Sequence, residues 1–169
     1  MKRSGRWRHE LPFIGTVALI IVLDQISKAL VRAYLLPGES VPDHGFFRLT
    51  HVINTGASFG LLQGKNVALA VTGAIGVLAI ILYYRYLSSH GMLIRLALGL
   101  QLGGAIGNLI DRARRGYVTD FFDVGAWPVF NVADSSLVIG IALAAVFTLF
   151  KEKAHSSSPA SKPPGESPP

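Results

Sequence analysis

Two acids stand among apolar neighbours: Asp120 in GYVTDFFDVGAW (116–127) and Asp134 in FNVADSS (130–136). Two carboxylates brought close cannot both ionise cheaply, so they share one proton. The ionised partner can take a proton from water while the protonated one donates to a carbonyl oxygen or a leaving amine. Such a pair hydrolyses a peptide bond with neither a metal nor a covalent intermediate. The chain has no cysteine, which removes a thiol nucleophile, a disulfide and a thiolate metal site. No paired His ligands and no serine–base arrangement stand near the two acids. Each acid also has a plainer use. Asp134 precedes an uncharged run and suits an N-cap, which accepts hydrogen bonds from the first amides of a helix. Asp120 suits a loop acid beside the aromatic membrane anchors Phe121, Phe122 and Trp127.

The elements that must position them are membrane helices. Half of the 169 residues are hydrophobic and 15% are charged, against roughly 25% charged in soluble domains. The apolar residues are clustered, and residues 67–84 carry no charge, long enough to cross a bilayer. Four spans are expected, over about 12–31, 66–86, 92–110 and 130–150, with Pro12 tolerated at the first helix start. Gly99, Gly103 and Gly107 recur every fourth residue in the third, a stripe that lets helices approach closely. The fold class is therefore an all-α integral membrane protein of four transmembrane helices. FFRLTHVI in the first long loop reads as a short strand and NTGAS as a turn, so a small extracytoplasmic sheet is expected beside the helices.

The net charge of +6 raises nucleic acid as a partner, but Lys and Arg concentrate at the two ends of the chain. That placement fits anionic lipid headgroups and excludes nucleic acid. Nine Lys/Arg fall on the side of the termini and six on the other, which puts both termini in the cytoplasm. The expected organisation is a basic cytoplasmic segment (1–11), a membrane domain (12–154) with outer loops 32–65 and 111–129, and a disordered Pro/Ser-rich tail (155–169). A cleaved signal peptide is disfavoured for the first span, because Asp24 and Lys28 interrupt its apolar run and no small-residue cleavage site follows.

Alternating spans bring the unusual polar residues to one level near the outer interface. Asp24 and Lys28 lie in the outer part of span one, Asn108, Asp111 and Arg112 at the outer end of span three, and Asn131 and Asp134 at the outer start of span four. Asn54 and Asp120 occupy the two outer loops. Asp24 and Lys28, four apart, share a helix face and suit an internal salt bridge, although Lys28 can also snorkel. Asp111–Arg112 suits a headgroup anchor. Asn54 and Asn131 can hydrogen-bond a substrate backbone without charge, and Gly56 and Ala57 leave room for its approach.

DQISK (24–28), NTGASF (54–59), GGAIGNLIDR (103–112), VTDF (118–121) and FNVADS (130–135) resemble, in order, the five blocks of the signal peptidase II family of lipoprotein signal peptidases. The resemblance covers about residues 12 to 150. It implies an aspartyl protease with four transmembrane helices in the bacterial cytoplasmic membrane, which needs no cofactor or metal. The implied substrate is a diacylglyceryl-modified prolipoprotein, cut just before the lipidated cysteine. By motif match the catalytic pair falls on Asp120 and Asp134. Asp24, Lys28, Asn54, Gly104, Asn108, Asp111, Arg112, Asn131 and Ala133 match positions that line or support the family's site. The resemblance also implies inhibition by globomycin-type cyclic peptides; membrane lipids are the other expected partners and a monomer is the expected state.

Two other classes remain to be weighed. Asp111, Asp120 and Asp123 with the neighbouring arginines loosely resemble the metal site of membrane phosphatidyltransferases, though the acid spacing differs and four spans are few. A proton-conducting bundle would distribute its acids across the membrane depth.

Overall fold

The computed structural model describes residues 4–56, 65–87 and 91–156. Helices α1 (Ser4–Tyr34), α2 (Asn66–Leu87), α3 (Gly91–Arg115) and α4 (Val132–Ser156) accompany three short strands, β1 (Ser40–Val41), β2 (Arg48–Asn54) and β3 (Val118–Asp123). All four helices are long and apolar enough to cross a membrane, with candidate spans Glu10–Tyr34, Asn66–Tyr86, Gly91–Arg115 and Val132–Leu149.

Several boundaries differ from those expected. Pro12 lies inside α1, not at its start, because the helix begins at Ser4. A proline there leaves one upstream carbonyl without its helical donor, and the membrane span begins only two residues earlier, at Glu10. Helix α3 runs on through Asp111 and Arg112 to Arg115, so the second outer loop starts later than expected. Strand β2 takes in Asn54, which local composition assigns to a turn, and leaves out Phe46 and Phe47. The tail beyond 156, the basic side chains at both ends, and Ala57 lie outside the described residues.

Helix α3 is the centre of the bundle. Half of its apolar window is buried, against 6% for α2, whose Val71, Ile75, Leu78 and Leu82 face outward. The glycine stripe explains how it packs. A Cβ on Gly99 would stand 2.9 Å from Thr16 Cβ, one on Gly103 2.8 Å from Ile20 Cβ, and one on Gly107 2.6 Å from Asp24 Oδ2. The three glycines thus lie against residues of α1 that are themselves four apart. Gly104, on another face of α3, lies against Ala133 and Ser136 of α4, and Gly140 of α4 returns the contact to Ala97. Away from the sheet, Phe13, Tyr84, Ile94, Leu98 and Leu102 form the apolar core. There the Phe13 and Tyr84 rings stack with centroids 3.6 Å apart, and the Tyr84 hydroxyl donates to Glu10.

The strands form one antiparallel sheet in the order β1–β2–β3. Its third member, β3, is not apparent from sequence, since VTDFFD mixes buried polar and apolar residues without clean alternation. The pairing Val52↔Asp120 and Ile53↔Thr119 joins the two outer loops, with an irregularity between Leu49 and Val52.

The close approaches predict that Gly103→Val lowers the melting temperature in detergent, by an overpacking cost of about 1–3 kcal/mol. Gly76→Ala, on α2 with nothing within 4 Å of the added carbon, should leave it unchanged.

Candidate active site

The site is assembled around Lys28, which is fully buried. Its ammonium lies 2.9 Å from Asp24 Oδ2 and 3.4 Å from Asp111 Oδ2, and it donates to Asn108 Oδ1 at 2.9 Å. Neither snorkelling of Lys28 nor a headgroup role for Asp111 is realised, because both side chains turn inward and neutralise each other. Asp24 also reaches a second element. Its Oδ1 accepts from the Ala133 amide at 3.0 Å, one of the orphan donors in the first turn of α4. Ala133 therefore contributes through its backbone, and its small side chain packs near Gly107.

Asn108 passes the network on to Asp134, donating from Nδ2 to Oδ1 at 2.7 Å. Asp134 is not the N-cap of α4. Asn131 is: its Oδ1 accepts from the Asp134 amide at 2.9 Å, while Asp134 Oδ2 accepts from the Asn131 amide at 3.3 Å. This reciprocal arrangement is a capping box. It aims one carboxylate at the helix mouth, where the helix dipole favours negative charge.

Asp120 arrives from a strand, not from an irregular loop. Its Oδ1 accepts from Asn131 Nδ2 at 2.6 Å and its Oδ2 from Asn54 Nδ2 at 2.8 Å. Asn54 is in turn held by the Gly56 amide, 3.0 Å from its Oδ1. Asn131 does not take the expected part of binding a substrate backbone, because it is fully buried and its carboxamide is spent on the two acids. Asn54, partly exposed, keeps a place on the cavity wall.

The acids divide by partner. Asp24, Asp111 and Asp123 each contact a cation, whereas among the described residues Asp120 and Asp134 form no ion pair and are held by uncharged donors. Burial, reinforced by the charge of Asp134, pushes the Asp120 carboxyl up to about 7 against the hydrogen bonds from Asn54 and Asn131. Asp123 goes the other way, held low by the Gly125 amide, Thr50 and Arg48. One acid of the pair can thus retain a proton at neutral pH.

Asp120 and Asp134 open onto a single cavity of about 510 Å³. Asn54, Asn108 and Arg112 supply its other polar lining, and Trp127, Phe130, Leu137 and Val138 contribute to an apolar wall. Part of that wall continues onto the outward side of α4, where Val138 and Ile139 are exposed. The triad needed for a phosphatidyltransferase is not brought together: Asp111 serves Lys28 and Asp123 serves Arg48. No cluster of three or more His, Asp or Glu suited to a metal occurs among the described residues. The acids of the network also gather at one end of the bundle, with Glu10 at the other, which is not the distribution of a proton path.

Two contributors are not evident from sequence. Arg32 and Thr119 join this network through the hydroxyl of Thr119. The signal for Arg32 is its spacing, since it continues the Asp24–Lys28 face by one further turn. Thr119 has none beyond its place beside Asp120.

The profile of the Signal peptidase (SPase) II family matches residues 16–150. The lipoprotein signal peptidase of Moorella thermoacetica is 47% identical over 132 residues, covering 78% of this chain and 88% of that protein. The lipoprotein signal peptidase of Halothermothrix orenii is 44% identical over 138 residues, covering 81% and 94%. Among solved structures, a bacterial membrane enzyme determined by the in meso method superposes with a TM-score of 0.75 at 30% identity, covering 89% of this chain and 94% of that one.

The network predicts that Lys28→Met destabilises the protein strongly, by about 3–5 kcal/mol, because buried carboxylates lose their cation. Asp24→Asn should cost less, since Lys28 keeps Asp111 as its counter-ion, although the carboxamide amino group must then face either Lys28 or the Ala133 amide. Thermal denaturation of both variants in detergent measures the difference.

Proposed function

The chain belongs to the signal peptidase II family, and within that family's chemistry we propose that Asp120 and Asp134 are its catalytic dyad. The protein is a peptidase of the aspartic type and a multi-pass bacterial membrane protein. Its substrate is a prolipoprotein carrying diacylglycerol on cysteine, cleaved just before that residue to release the signal peptide. One observation supports this above the others: a buried acid, Asp120, and a half-buried one, Asp134, with only uncharged hydrogen-bond donors, face the same cavity.

The reaction follows from the proton they share. The ionised carboxylate takes a proton from water as the oxygen attacks the scissile carbonyl. The protonated partner donates to the carbonyl oxygen, and the tetrahedral intermediate collapses when the leaving nitrogen is protonated. Arg112, on the same wall, offers a positive charge to the substrate backbone. The apolar wall takes signal-peptide side chains and keeps bulk water out, and a globomycin-type cyclic peptide would compete for the same space. Both termini face the cytoplasm, the site lies near the outer interface, and the protein acts as a monomer. At that level a lipidated cysteine can reach the dyad while its acyl chains stay in the bilayer.

Asp120→Asn and Asp134→Asn should each abolish cleavage of a diacylglyceryl-modified prolipoprotein by the purified protein in detergent, with folding retained. Asp123→Asn should be far milder; an equal loss there would favour the metal-dependent alternative. Cleavage should survive excess EDTA, and a requirement for restored magnesium would overturn the metal-free dyad. The rate should fall as pH rises past about 7, where Asp120 gives up its proton and the pair becomes doubly ionised. A rate still climbing at pH values well above about 7 would contradict the shared-proton mechanism.

A further inference from the structure

The residue before Asp120 is held on every side. Thr119 is fully buried. Its amide donates to Asp111 Oδ2 at 3.2 Å, its carbonyl accepts from Asn131 Nδ2 at 3.5 Å, and its hydroxyl lies 2.9 Å from Nη1 of Arg32. A guanidinium has no acceptor, so the hydroxyl oxygen of Thr119 accepts that bond.

Arg32 sits in the last turn of α1, and its side chain is 14% exposed. An arginine serving as a headgroup anchor would reach outward. This one turns back into the protein, with Nη1 3.8 Å from Asp111 Oδ1. The charged and titratable groups acting on it are Arg115, Asp111 and Tyr117 from the end of α3 and the turn beyond, and Asp24 from its own helix. It is not part of the cavity wall.

Resting on the assignment of Asp120 to the dyad, we infer that Arg32 is a positioning residue for the reaction, acting through Thr119 on the strand that carries Asp120. Strand β3 has its other fixed point at the far end, where Asp123 meets Arg48 at 2.7 Å. Without the Arg32 clamp, the backbone next to the catalytic acid keeps its strand pairing, the bonds to Asp111 and Asn131 and the Phe121 amide bond to the Phe130 carbonyl, but loses the tie through the Thr119 side chain. A guanidinium suits this position because Nη1 donates to the hydroxyl while its delocalised charge lies near the Asp111 carboxylate. Apart from Val118, and from Phe130 where it is bridged to Phe122, the apolar cavity wall comes from other segments, so a small shift of β3 misplaces the acid and leaves most peptide binding in place. The loss therefore falls on kcat, since small displacements of a catalytic group cost rate steeply.

The test compares kcat, KM and melting temperature of the purified full chain for Arg32→Gln, Thr119→Val, Thr119→Ser and the double variant Arg32→Gln/Thr119→Val. The substrate is a diacylglyceryl-modified prolipoprotein, and Asp120→Asn is run in parallel. Arg32→Gln and Thr119→Val should each lower kcat about tenfold with KM within about twofold. The double variant should be no slower than Arg32→Gln alone, and Thr119→Ser, which keeps the hydroxyl, should retain the parent rate. Full activity in the isosteric Thr119→Val overturns the proposal even if Arg32→Gln fails to fold. Losses that multiply in the double variant, or a lowered melting temperature with unchanged kcat, overturn it as well. Activity in Asp120→Asn would instead sink the dyad itself, whereas an inactive Asp120→Asn beside a fully active Thr119→Val would sink only the role of Arg32.

Discussion

The ammonium of Lys28, buried without access to water, is the constraint around which the rest is arranged. A charge placed at that depth is tolerated only when it is paired and its donors are satisfied. Asp24 supplies the pairing from the same helix, Asp111 from α3, and the Asn108 carbonyl oxygen takes a further donor. Each of these partners has a second bond that leads elsewhere. Asp24 holds the first turn of α4, Asp111 holds the amide of Thr119 in β3, and Asn108 holds Asp134. One buried cation thus ties three helices and a strand to a common point.

That arrangement separates two classes of acid by what touches them. Carboxylates that contact a cation directly have their charge paired and serve the structure. Asp120 and Asp134 sit one hydrogen bond further out, where carboxamides of Asn54, Asn108 and Asn131 orient them without adding charge. An uncharged donor fixes a carboxylate in place and lowers its proton affinity, but at Asp120 burial and the neighbouring acid outweigh that effect. Direct salt bridges to the pair would favour ionisation of both acids and work against the shared proton of the proposed chemistry. Placing Lys28 behind Asn108 keeps its charge close and leaves the proposed dyad without an ion pair among the described residues.

Packing of the backbone makes these contacts reachable. Helix α3 approaches α1 and α4 closely because glycines stand where side chains would collide, and Gly107 stands directly against Asp24. A bulkier residue there would push α1 away and lengthen the bonds from Lys28 to Asp111 and Asn108. The sheet plays the complementary part. Since β2 and β3 come from different loops, their pairing alone brings Asn54 to Asp120. The apolar side of the cavity comes mostly from the 127–130 segment and from α4, with Val118 added from β3, so the helix that carries Asp134 also supplies part of the apolar wall.

The four spans are legible in the sequence because uncharged runs of membrane length have few alternatives, and the glycine stripe because its spacing matches a helix face. The family blocks point to Asp120 and Asp134, and alternation of the spans places the polar residues at one level. What the linear pattern does not show is partnership. Asn131 reads as a substrate ligand and is in fact a buried cap, since burial depends on the segments that close over it. Strand β3 is hidden because its buried positions are polar, which breaks the alternation that marks a strand. Arg32 reads as a loop charge because nothing local turns it toward Thr119. The number of spans and the family are thus encoded in local composition and spacing, and need no knowledge of the fold. Which carboxylates meet a cation and which meet a carboxamide is settled only once the chain has folded, because that choice depends on side chains up to about a hundred residues apart, as Asp24 and Ala133 are.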